Sequence, residues 1–138
     1  MTKRFLHSVA VRWSDMDAYG HVNNARFLTL YEEARVAMFF VAARAQGLTS
    51  FEEGIVIARQ EIDYLRPVDY GDPVRIESWI SELRKGSFAV SYELFDGDVL
   101  ASRARSVCVP YNLAEGFARR LTAEEHAFLE PYLEAAPA

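Results

Sequence analysis

The sequence predicts a single α+β domain: one antiparallel sheet of about five strands curled around a long central helix, with a short C-terminal helix. Three observations predict it. Residues 34–45 are apolar on almost every side, interrupted only by Arg35 and Arg44, and a helix of that kind has to be enclosed rather than laid on a surface. From residue 54 onward the chain breaks into runs that alternate apolar and polar residues, the signature of strands with one buried face. The 138 residues, 51% hydrophobic and 25% charged, suffice for one domain with its own core. No repeat, low-complexity run or linker divides residues 1–138.

The elements follow in order. Residues 5–13 read as a strand, with Phe5, Val9, Val11 and Trp13 on one face. Asp15, Asp17 and Gly20 then supply loop chemistry. Asn23 and Asn24 can cap the helix that follows, each amide oxygen accepting from an orphan N–H of the first turn. That helix spans about residues 25–46, and Gly47 provides the left-handed residue that ends it, with Leu48 folding back onto the last turn. Residues 54–66 are an extended stretch ending at Pro67. Residues 74–83 alternate Val74, Ile76, Ser78 and Ile80 against Arg75, Glu77, Trp79 and Ser81. Phe88, Val90, Tyr92 and Leu94 alternate again, Asp96-Gly97 is a hairpin signal, and residues 99–109 close a run of four meander strands. Arg84-Lys85-Gly86-Ser87 is the turn between the second and third of these. Thr122 and Glu125 form a capping box for a short helix that Pro131 bends or ends. A sheet wrapped on one enclosed helix is the hot-dog arrangement.

Composition excludes several functions. Lys plus Arg number 15 and Asp plus Glu 20, a net charge of −5, so no nucleic-acid partner is expected. The longest apolar run, residues 36–43, is far too short for a membrane span. The first residues carry no apolar leader segment, and one cysteine precludes an internal disulfide, so a cytoplasmic location is expected. His7, His21 and His126 share no ligand spacing, so no metal is expected. There is no nucleophile elbow, Walker loop or dinucleotide fingerprint.

The stretch from Trp13 to Arg35 carries the chemistry. It sets a carboxylate, Asp17, a few residues ahead of a helix N-terminus, whose unpartnered N–H groups and macrodipole favour negative charge. Donors of that kind stabilise the oxyanion formed when a carbonyl is attacked, and a carboxylate beside them can attack directly or activate water. Acyl transfer to water is the reaction class this suggests.

The same stretch, through Asp15, Asp17, Gly20, His21, Val22, Asn23, Asn24 and Phe27 and on to Glu32, Ala34 and Arg35, resembles the 4-hydroxybenzoyl-CoA thioesterase family of hot-dog acyl-CoA thioesterases. Residues 64–72, Tyr-Leu-Arg-Pro-Val-Asp-Tyr-Gly-Asp, are a second and weaker match. The resemblance implies hydrolysis of an acyl-CoA thioester without a cofactor, in a homodimer or homotetramer. It makes Asp17 the essential carboxylate, as nucleophile or general base, the backbone N–H near Asn24 the oxyanion donor, and His21 a polar neighbour. It assigns Arg84, Lys85 and Ser87 to the coenzyme A phosphates. Ala18-Tyr19 departs from the type member, where a Pro follows the essential Asp, and so do residues 21–24, where it has apolar and aromatic residues; both departures turn the expectation toward the fatty acyl-CoA and acyl-carrier branches. An acyl-carrier-protein thioesterase, a non-catalytic acyl-CoA-binding protein and a hot-dog dehydratase are the alternatives, the last lacking its histidine motif here.

Other residues have plainer readings. Asp15 holds the loop through backbone N–H groups. Glu32 and Arg35, three apart, read as an intrahelical pair, with Glu32 an alternate catalytic acid. Cys108 reads as a small buried hydrophobe, and Phe39, Phe40, Phe51 and Tyr64 as core.

Overall fold

The computed structural model describes residues 3–134; residues 1–2 and 135–138 of the expected domain lie outside it. Five strands, β1 (Phe5–Val9), β2 (Ile55–Tyr64), β3 (Val74–Leu83), β4 (Phe88–Asp96) and β5 (Val99–Asn112), form one antiparallel sheet in the order β1-β3-β4-β5-β2, and a two-residue strand, β6 (Phe117–Ala118), pairs with the end of β5. Extra residues at Ala58, Ser81 and Ala101 bulge the ladders, and bulges increase the twist and bend of a sheet.

Helix α1 (Arg26–Val36) runs through a π-helical segment (Ala37–Ala42) into a last turn, α2 (Ala43–Ala45), so residues 26–45 are one uninterrupted helix. Its end is a Schellman motif as expected: Gly47 has φ +82°, Leu48 N donates to Ala43 O at 3.0 Å, and Gly47 N donates to Arg44 O at 2.9 Å. Phe27, Leu30, Tyr31, Ala34, Met38 and Phe39 sink into a core completed by Val74, Ile76, Ile80, Phe88, Val90, Tyr92 and Leu94 from the sheet. Each buried aliphatic or ring contributes roughly 1.5–3 kcal/mol through the area it removes from water. Helix α3 (Ala123–Leu129) starts on the expected capping box, with Thr122 Oγ1 accepting from Glu125 N. It gives way to a 3₁₀ turn carrying Pro131.

Four expectations change. The first strand stops at Val9, because Arg12–Asp15 folds into a 3₁₀ turn tied by Asp15 N to Arg12 O, which leaves Trp13 77% exposed rather than inward. The four later strands are not one meander: β2 pairs with β5, not β3. Residues 65–73 cross the end of the sheet, with Leu65 N and Arg66 N both donating to the bulge carbonyl of Ala101. The helix is not fully enclosed, since Val36, Phe40 and Val41 remain exposed on the side the sheet does not reach. Tyr64 is half exposed at the end of β2, and Phe40 too is outside the core, whereas Phe39 and Phe51 are buried. No helix among the described residues is long and apolar enough to cross a membrane.

Candidate active site

The crossover is what builds the site. It runs beside the loop ahead of α1, where Val22 N donates to Val68 O at 2.8 Å and His21 bridges Asp69. A cleft of about 330 Å³ opens between the two segments, lined by Asp17, His21, Asn24, Phe27, Tyr64 and Arg66 among others. Three of the residues expected at the catalytic centre, Asp17, His21 and Asn24, therefore share one cleft.

The loop is pinned from within. Asp17 N donates to His21 O at 2.7 Å and Gly20 N to Asp17 O at 3.1 Å, while Asp17 Oδ1 accepts from Tyr19 N at 2.8 Å and His21 N at 3.2 Å. These bonds engage one carboxylate oxygen, and Oδ2 accepts none from the described residues. Asp15 behaves differently, as expected of a structural residue. It is buried, accepts from Arg12 N and from the Arg12 guanidinium, and passes its carbonyl to Asn23 N. The Arg12 side chain holds its carboxyl below the usual carboxylate range, against the effect of burial.

At the helix start the N-cap is Ala25, which no side chain caps; Asn23 acts just ahead of it, its Oδ1 accepting from Ala25 N at 2.9 Å. Asn24 does not cap: its carbonyl accepts from the Tyr64 hydroxyl at 2.8 Å. The Asn24 N–H finds no acceptor among the described residues, and Asn24 is one of the residues that line the cleft. The His21 ring points to the rim, Nε2 lying 3.5 Å from Asp69 Oδ1.

The structure does not bring Arg84, Lys85 and Ser87 to this cleft within one chain. They form the β3–β4 turn, at the sheet end where Leu83 pairs with Phe88 and Phe88 with Cys108. The cleft lies at the other end, where Tyr64 pairs with Ser102. Six residues of β5 separate Ser102 from Cys108, about 20 Å of strand. Arg84 is held there by Glu82, with its Nε 2.7 Å from Oε1.

The Glu32–Arg35 pair is not formed. Arg35 turns inward, its Nη1 donating to the Tyr92 hydroxyl at 3.0 Å and Ser106 Oγ at 3.3 Å. Glu32 lines a separate apolar groove of about 240 Å³ with Val36, Phe39, Phe40, Ile55 and Ile57. Glu32 is eight residues past Asn24, about 12 Å along the axis. Cys108 is fully buried, and burial pushes its thiol up to about 12. Among the described residues no three of His, Cys, Asp and Glu converge on one point.

Tyr64, Arg66 and Asp69 were not singled out as site residues from the sequence. Their signal was the second matching stretch, residues 64–72, which reads as a turn until the crossover brings it against the Asp17 loop.

Residues 11–136 match the Thioesterase-like superfamily, and the chain belongs to that family. The long-chain acyl-CoA thioesterase FadM of Escherichia coli is 34% identical over 83 residues, 60% of this chain and 63% of that protein, so the chain spans less than two thirds of that relative. A 1,4-dihydroxy-2-naphthoyl-CoA hydrolase of Gloeothece citriformis is 30% identical over 107 residues, 72% of this chain and 74% of that one. A thioesterase of Thermus thermophilus, solved with coenzyme A and Zn, superposes with a TM-score of 0.78 at 30% identity, covering 91% of this chain and 90% of that one.

Proposed function

We propose that the chain hydrolyses acyl-CoA thioesters to a carboxylic acid and coenzyme A, using no cofactor, in a homodimer whose sites span both copies. One observation carries the reading: a carboxylate with an uncommitted oxygen, Asp17, shares a cleft with an unpaired backbone N–H, that of Asn24. With the thioester carbonyl on that N–H, the developing oxyanion is stabilised where it forms. As a base, Asp17 takes a proton from water, the water oxygen bonds to the carbonyl carbon, the C–S bond breaks, and the departing thiolate recovers the proton. As a nucleophile, Asp17 attacks the carbonyl carbon and the C–S bond breaks, leaving an anhydride and the thiolate; water then hydrolyses the anhydride, freeing Asp17 and supplying the proton the thiolate takes up. His21, at the rim, shapes the loop through its main chain and contributes less. The relatives' names support a coenzyme A thioester as substrate. A single buried thiol suits a reducing compartment, and we place the enzyme in the cytoplasm.

Two unfinished surfaces support the dimer. Strand β2 is a ten-residue sheet edge with unpaired backbone groups, which invite pairing. Beside it the apolar groove and the exposed Val36, Phe40 and Ile57 are uncovered. Antiparallel pairing of two β2 edges about a two-fold axis sets the Tyr64 end of one chain beside the Ile55 end of the other. The partner's Arg84, the partner's Lys85 and the partner's Ser87 then lie at the cleft's end of the joined sheet, where they can hold coenzyme A phosphates.

The test is thiol release from short, medium, long-chain and aromatic acyl-CoAs by wild type and Asp17→Asn, with acyl-carrier-protein thioesters as a second arm and crotonyl-CoA hydration as a control. We expect turnover that falls about 10³-fold in a folded Asp17→Asn variant. Turnover on carrier-protein thioesters alone would make the carrier the substrate. An equally active Asp17→Asn would overturn the site, and folded protein inert on every thioester would leave a binding protein.

A further inference from the structure

We infer that Tyr64 is a positioning residue for thioester polarisation: its hydroxyl fixes the peptide groups around Asn24 so that the Asn24 N–H is held, unpaired, at the cleft. The inference rests on the reading above, in which that N–H meets the substrate carbonyl, and adds the residue that keeps it in place.

The first α1 residue is Arg26, so Asn24 stands ahead of the helical ladder and its groups have to be fixed by other means. Two peptide groups flank its Cα. In the first, the Asn23 carbonyl accepts from Arg26 N at 2.8 Å. In the second, Ala25 N donates to Asn23 Oδ1 and the Asn24 carbonyl accepts from Tyr64. Three of the four polar groups are therefore engaged, and the fourth is the Asn24 N–H. Two of the three bonds are made within residues 23–26 and would travel with this turn if it rocked. The third comes from 40 residues away in sequence, and of the three it is the one that ties the turn to the sheet.

Tyr64 is well placed to be that tie. It ends β2, and the next two residues are clamped on the Ala101 carbonyl. Its ring meets Phe27 edge-on, with centroids 5.1 Å apart at 84°, and Phe27 is only 3% exposed. The ring is thus set by the core while its hydroxyl reaches the rim. Tyr64 is also half exposed, so its hydroxyl bond adds little to folding, as bonds that water can replace do. Orientation is where it counts: a donor displaced by about 1 Å can cost on the order of 10² in rate.

Tyr64→Phe removes the hydroxyl and keeps the ring on Phe27. We expect kcat to fall roughly 10–100-fold with KM within about two-fold of wild type, and a thermal midpoint within a few degrees. The discriminating readout is the carbonyl stretch of bound benzoyl-CoA and palmitoyl-CoA, ¹³C-labelled at the thioester, recorded soon after mixing in an Asp17→Asn background that slows turnover. The bound carbonyl is expected to shift to lower frequency than in solution, and Tyr64→Phe to return it toward the free value. A carbonyl shifted equally with and without the hydroxyl, or an unchanged kcat, would overturn the role of Tyr64 alone. An unshifted carbonyl in Asp17→Asn itself would overturn the Asn24 donor and the inference with it.

Discussion

Two aspartates, two positions apart, meet different fates on this loop. Asp15 faces inward against Arg12 and is 4% exposed, whereas Asp17 keeps one oxygen uncommitted in the cleft. Asp15 should therefore matter to stability and Asp17 to rate. The Arg12 bonds hold the Asp15 carboxyl below its unfolded value, so its contribution is fully present above the ordinary carboxylate range and is lost as pH falls through the lowered folded value. We expect Asp15→Asn to cost roughly 1–2 kcal/mol near neutrality, as charge-assisted bonds do, with the gap from wild type closing below about pH 4. Melting temperatures of both proteins across pH 3–8 check this, and a gap that is constant with pH would remove the ion pair from the account. The sequence reading of Asp15 as the residue that holds the loop agrees with its burial and its Arg12 bonds. Tyr64 was misread because an aromatic in an alternating run looks like core, and only the strand's end position turns it to the rim.

Among the elements, those ended by local chemistry were legible. The Gly47 stop, the Thr122–Glu125 box and the Asp96-Gly97 hairpin all occur, because each depends on residues within a turn of one another. The partner of β2 was not legible, since it depends on the path of a nine-residue connection and on the Ala101 bulge that receives it. Gly54 shows a non-local constraint of the same kind. It has φ +144°, and a Cβ there would lie 2.7 Å from the Tyr111 carbonyl and 2.6 Å from Leu113 Cγ. The carbonyl of Gly54 accepts from Tyr111 N at 2.9 Å, which starts the β2–β5 pairing. Gly54→Ala should cost about 2 kcal/mol or more, seen as a lower denaturant midpoint. A midpoint equal to wild type would show that β2 can shift to accept the methyl.

For the whole molecule, the sheet edge and the apolar groove that a dimer would cover lie together along β2 and the adjoining helix face. The sequence expectation of a fully enclosed helix fell short there, because one sheet of five strands covers only one side. If the joined-sheet dimer is right, blocking the edge and removing the phosphate contacts should have related effects. Ile57→Lys, placing a charge on the exposed edge, is expected to give monomers by light scattering and to lose coenzyme A thioester turnover. Arg84→Ala should remain dimeric, raise KM for coenzyme A thioesters several-fold, and leave small thioesters lacking the nucleotide unaffected. Dimeric Ile57→Lys with full activity would move the interface elsewhere.

The π-helical segment Ala37–Ala42 has a consequence for how this chain tolerates changes in length. Phe27, Leu30, Tyr31, Ala34, Met38, Phe39 and Ala43 all face inward, and at the end of the segment Ala43 N donates to Met38 O, five residues back, while Val41 between them is 64% exposed. A step of five is one α-helical step plus a supernumerary residue. Losing a residue from an ordinary helix swings everything beyond it by about 100° around the axis. Here the loss of Val41 would remove the surplus and leave Ala43 facing inward, with Gly47 still closing the helix. The segment is a built-in slip of phase, at which this chain can lose one residue without repacking its core.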